Sequence, residues 1–182
     1  MTEIIKLDKT NNLNGTAGTE HEAPKPEKEK DRVARFLRKL NEGALFDELK
    51  DDILSSMGLE QVMKNVPVPI SAGQGEELTT KTIAVNMGRV LGGDPDFPFK
   101  SQYLEFIKKV FGDNAVKAMI AEGVKMSSSG NYEIGAMFFR TALMMEPENR
   151  DALYFYGRAL TDAYSLENDD EDYVGSFKAE SI

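Results

Sequence analysis

The chain has no cysteine and no tryptophan, and its single histidine is His21. Without thiols it can form no disulfide, thiolate zinc centre or cysteine nucleophile. A histidine triad or metal cage would have to be built around one ring close to the start of the sequence. Bases are also in deficit. The 182 residues carry 22 Lys+Arg against 31 Asp+Glu, a net charge of −9, which excludes a generic nucleic-acid binder because phosphate affinity comes mainly from Lys and Arg. No apolar run approaches the ~18 residues that a membrane span needs. Met1–Thr10 is broken by Glu3, Lys6, Asp8 and Lys9 and lacks the apolar stretch of a secretory signal. A cytoplasmic protein with no membrane partner is the expectation.

Hydrophobic residues make up 41% of the chain, below the globular average of about 45–50%, and much of the deficit falls in the first thirty residues. Residues 8–30 hold Asn, Gly, Thr, Pro, Glu and Lys with almost no large apolar side chain. Such a segment cannot offset its ordering entropy, so residues 1–30 are expected to be a disordered tail. The acidity sits in the tails as well: residues 79–146 are nearly neutral, whereas Glu148, Asp151 and the run from Glu167 to Asp172 crowd the end.

Residues 31–70 read as an N-terminal helical arm. Val33, Phe36, Leu37 and Leu40 fall at the spacing of one helix face, with Arg32, Arg35, Arg38 and Lys39 beside them as a solvated side. A second pattern, Phe46, Leu49, Ile53 and Met57, ends at Gly58, a natural C-terminal glycine. Pro67 and Pro69 then impose extended backbone, and residues 71–78 read as a hinge. Its Gly73-x-Gly75 is no phosphate loop, since no Gly-Lys-Ser/Thr follows. From residue 79 to 182 the pattern is helix after helix. Ile83, Met87, Val90 and Leu91 share a face up to Gly92-Gly93. Phe99, Tyr103, Phe106, Ile107 and Val110 form the next stripe, for which Ser101 is a candidate cap. Asp94 and Asp96 lack the glycine-centred loop of a calcium site. The fold class is therefore all-α.

The densest pattern lies in residues 113–165. Gly123, Gly135, Phe139, Ala142 and Pro147 are followed by Gly157, 34 residues after Gly123. Met119-x-x-Glu122-Gly123-x-x-Met126 is answered by Leu153-x-x-Tyr156-Gly157-x-x-Leu160. Small residues at 123, 135 and 142 let two helices approach closely, Phe139 fills the space between them, and Pro147 turns the chain into a helix capped by Asn149. Helices are expected near 114–127, 131–145 and 149–165, with Tyr156 facing inward and Phe138 and Phe155 packing. The segment from Tyr173 on is too short for another full-length helix.

This 34-residue helix–turn–helix period resembles the tetratricopeptide repeat, with one complete repeat and the start of a second. The resemblance implies a solenoid fragment and a non-catalytic scaffold or adaptor that holds a protein or peptide in a groove lined by the first helix of each repeat. In that register the groove-facing residues are Lys117, Ile120, Val124 and Ser127, then Asp151, Tyr154, Arg158, Thr161 and Asp162. The partner-binding set is Lys117, Ile120, Val124, Tyr154, Arg158 and Asp162. No catalytic residue, cofactor or metal is expected. Glu122, Glu133 and Glu146 have no partner or cofactor loop beside them in the sequence, as a general base requires. The alternative reading is a homo-oligomerisation module that uses the amphipathic arm 31–57.

Overall fold

The computed structural model describes residues 31–70, 79–166 and 168–182; the expected tail 1–30 and hinge 71–78 lie outside the described residues. At the centre are three helices in the repeat-like stretch, α6 (Ala115–Ser128), α7 (Tyr132–Met145) and α8 (Arg150–Tyr164). Their bounds match the sequence expectation to within a residue or two. Asn149 caps α8 by accepting the Ala152 N–H at 3.0 Å, as its position implied. Gly123 faces Phe139 and Ser127 faces Gly135, so α6 and α7 run in opposite directions. A Cβ at Gly123 would sit 2.5 Å from the Phe139 ring. The glycine is thus what lets the ring lie flat against α6.

α7 is buried on every side from Gly135 to Ala142. One flank is taken by α6 and another by α8. A third is covered by α4 (Thr80–Gly93), whose first turn is capped by Thr79 accepting the Thr82 N–H. Here the backbones nearly touch: a Cβ at Gly92 would lie 1.8 Å from the Met137 carbonyl oxygen. Beside that contact the Thr141 hydroxyl donates to the Gly88 carbonyl at 2.6 Å. α5 (Lys100–Phe111) packs on α4 and is joined to α6 by a 3₁₀ turn at Gly112–Asn114. It starts from Phe99, and Ser101 lies inside the helix rather than capping it.

The arm is more varied than the helical pattern suggested. α1 (Ala34–Lys39) is followed by a strand, β1 (Leu45–Glu48), then by the short helices α2 (Asp51–Met57) and α3 (Glu60–Met63), and by β2 (Pro67–Ile70). β1 and β2 pair antiparallel, Leu45 opposite Ile70 and Glu48 opposite Pro67. The expected helix through Phe46 therefore begins only at Asp51, although it ends as expected, at Gly58 with φ +66°. Phe46 instead stacks on Phe97 with ring centroids 6.4 Å apart. The prolines explain the ribbon. Neither Pro67 nor Pro69 can donate, so the N–H groups that β2 can offer β1 are those of Val68 and Ile70, opposite Asp47 and Leu45. The carbonyls of Pro67 and Pro69 accept from the Tyr103 hydroxyl at 2.5 Å and from Asn86 Nδ2 at 3.4 Å, which seals the outer edge of β2.

Two apolar clusters result. The larger joins α2–α5, β2 and α6 around Met87, Leu91, Tyr103, Phe106 and Met119. The smaller lies on the opposite flank of α7 and combines Val33 and Leu37 of α1 with Met137, Phe139, Leu160, Tyr173 and Phe177. Tyr173 and Phe177 belong to α9 (Glu171–Glu180), a ten-residue helix shorter than each of α4 to α8, in line with the sequence expectation. Phe36 meets Tyr173 edge-on at 5.3 Å, Arg35 pairs with Asp172, and buried Arg140 of α7 pairs with Asp31. α1 and α9 together thus close one flank of α7 and α8.

The Gly92 contact yields a direct test. Gly92→Ala is expected to destabilise the fold by at least about 2 kcal/mol, because a backbone carbonyl cannot yield as a side chain can. Gly175→Ala is expected to be neutral or to stabilise by up to about 1 kcal/mol, since a Cβ at Gly175 in α9 meets nothing within 4 Å. Urea unfolding of both variants measures the contrast.

Candidate functional site

Where α8 follows α7 around, a groove of about 370 Å³ opens between α6 and α8. Its floor is aromatic. Phe139 is 1% exposed and stacks on Phe155 at 5.7 Å, and Tyr132, one heptad earlier on α7, extends the floor. The α6 wall is formed by Val124, Ser127 and Ser128, the α8 wall by Tyr154, Arg158, Ala159 and Asp162. Tyr154 is 61% exposed and leans edge-on against Phe155 at 5.3 Å. Arg158 Nε lies 3.6 Å from the Asp162 carboxylate one turn on. The nearby Tyr154 hydroxyl and that carboxylate both favour the charged guanidinium. The groove is thus apolar below and carries one cation and one anion at its rim.

Of the six residues expected to bind a partner, four converge here: Val124, Tyr154, Arg158 and Asp162. Ser127 joins them, its hydroxyl packed toward Gly135. The other two do not line the groove. Ile120 is turned inward and packs against both apolar clusters, and Lys117 is exposed on α6. The reason is geometric. α6 is embraced on two sides by α7 and α4, so its outward face is narrower than one helix of an open array would present. Asp151 is exposed near the start of α8, away from the groove, and Thr161 spends its hydroxyl on the Gly157 carbonyl at 2.9 Å.

The repeat-signature residues take structural positions. Gly123, Gly135, Phe139 and Ala142 are buried at the α6–α7 and α4–α7 seams, Pro147 lies exposed in the turn after α7, and Gly157 is half-buried, near the Ser181 carbonyl. Tyr156 faces inward as expected. Burial pushes its phenol well above the usual tyrosine range, and its hydroxyl lies 3.5 Å from Glu180 of α9. Phe138 packs into the larger core. The floor residue Tyr132 was not among the expected binders. Its signal was the seven-residue spacing to Phe139, which puts both rings on one face of α7.

Among the described residues no group of three or more His, Cys, Asp or Glu side chains is placed to hold a metal ion, and no helix is long and apolar enough to cross a membrane. Glu122 pairs with Lys125 at 3.3 Å, and Glu133 accepts the Tyr173 hydroxyl at 2.8 Å. The groove can therefore offer shape, aromatic surface and a rim ion pair. No family model matches the sequence, and no curated protein and no solved structure matches it either.

Phe139 links the groove to the core. Phe139→Ala is expected to cost roughly 3–5 kcal/mol, the penalty for removing a buried aromatic, read as a lowered midpoint in urea unfolding.

Proposed function

We propose that the chain is a non-catalytic protein-interaction module that holds a peptide or partner segment in the groove between α6 and α8. The observation that carries this reading is the aromatic floor: Phe139, Phe155 and Tyr132 underlie an open groove whose rim bears the exposed Tyr154 and Arg158. Tyr and Arg are the residue types that most often dominate binding energy at interfaces. An aromatic surface also suits an inserted apolar side chain. In this reading α6 and α7 are one tetratricopeptide-like repeat and α8 begins the next, with α8 supplying the second wall. The mixed rim charges suit a ligand of mixed charge with a hydrophobic anchor. A second reading, self-association through the arm 31–57, draws on the exposed Leu45 and Phe46 of β1, 55% and 41% accessible.

The test is capture of a partner from cell extract on the full chain, with the bound protein identified by mass spectrometry. Tyr154→Ala with Arg158→Ala is expected to abolish capture and to leave the melting temperature nearly unchanged, because both side chains are exposed. Retention of the same partner by the double variant removes the groove as the site. If the captured partner is a second copy of this chain, the self-association reading takes over.

A further inference from the structure

On the other side of α6 lies a second depression, independent of the aromatic groove. α4 and α6 both run opposite to α7, so they lie alongside each other in the same direction, with Gly88 facing Met119 across the seam. Between them is an open trough of about 670 Å³ whose base includes Val85, Met126, Ile134 and Phe138. Its edges carry three cations, Lys81 and Arg89 from α4 and Lys125 from α6, against one acid, Glu122, which pairs with Lys125 at 3.3 Å and leaves an excess of two positive charges. A chain of net charge −9 thus gathers a positive excess over an apolar floor.

Arg89 is the informative member. Its Nη2 donates to the Leu40 carbonyl at 2.8 Å, which fixes the guanidinium, while its Nε is buried without a hydrogen-bond partner. Arg89 makes no ion pair among the described residues. A charged donor left in that state is costly unless something of opposite sign meets it. The cations of α1 differ: Arg35 is paired with Asp172 and Arg38 with Asp94.

The spacing sets the size of the ligand. Lys81 precedes Gly88 by seven residues, and Lys125 follows Met119 by six, which separates the two lysines by about 20 Å along the helices at 1.5 Å per residue. A single phosphate or small carboxylate would reach only one of them. An extended peptide covers that distance in about six residues. We propose that this trough binds an extended acidic segment of a partner protein, about six to eight residues long, with carboxylates toward both ends and an apolar side chain between them.

The probe is a random dodecapeptide library displayed on phage and panned on the full chain. The enriched peptides are then synthesised and their affinities measured by fluorescence polarisation. Enrichment of peptides with acidic residues flanking an apolar one is expected, with binding that weakens as salt rises. Lys81→Glu with Lys125→Glu, both on exposed side chains, is expected to weaken these peptides at least about tenfold. Tyr154→Ala with Arg158→Ala is expected to leave their affinity unchanged, so the outcome for this trough is separate from that for the aromatic groove. The proposal is overturned if no acidic peptide is enriched, or if the enriched peptides bind the lysine variant as tightly as the wild-type chain.

Discussion

The close approach of α7 to its neighbours is the constraint on which the rest of the molecule depends. A helix buried on all sides has to meet other helices at several seams at once, and bulky side chains at every seam would hold them apart. Gly92 lets the backbone of α4 come against the Met137 carbonyl, and Gly123 lets α6 lie on the Phe139 ring. Ala136 and Ala142 add further small positions along α7. With these contacts made, Thr141 can reach the Gly88 carbonyl, and Arg140 projects to the outer flank where Asp31 meets it. The two apolar clusters are then the two sides of one helix.

Both surface depressions follow from this arrangement. α6 rides on α7 with α4 on one side and α8 on the other, so a cleft opens along each of its flanks. The α8 cleft is floored by Phe139 and Tyr132, the α4 cleft by Phe138 and Ile134, which alternate around the same helix. The rims differ in charge, balanced beside α8 and positive beside α4.

Much of the helical core was legible in the sequence because its signals are local. The stripe Ile83, Met87, Val90, Leu91 and the glycine spacing of 123, 135 and 157 place α4, α6, α7 and α8, and Asn149 marks where α8 starts. The candidate groove was legible in part for the same reason: Val124, Tyr154, Arg158 and Asp162 follow from helical periodicity once two helices are taken as neighbours. What escaped was long-range. Phe46 and Leu49 fit a helix stripe, yet β2 offers β1 a pairing partner 19 to 25 residues away, and a partner strand outweighs a weak local pattern. Ile120 fits an outward face until α4 is known to lie against α7. The trough could not be read either, because Lys81 and Lys125 become neighbours in function only when α4 and α6 share a floor.

Amide hydrogen exchange followed along the full chain tests the central role of α7 most directly, since the slowest amides report the unit that opens only on global unfolding. The amides of Ala136 to Ala142 are expected to be among the last to exchange, after those of β1, α2 and α9. Exchange of the α7 amides as early as those of α9 or the β1–β2 ribbon would contradict the account, because the other helices would then hold together without it.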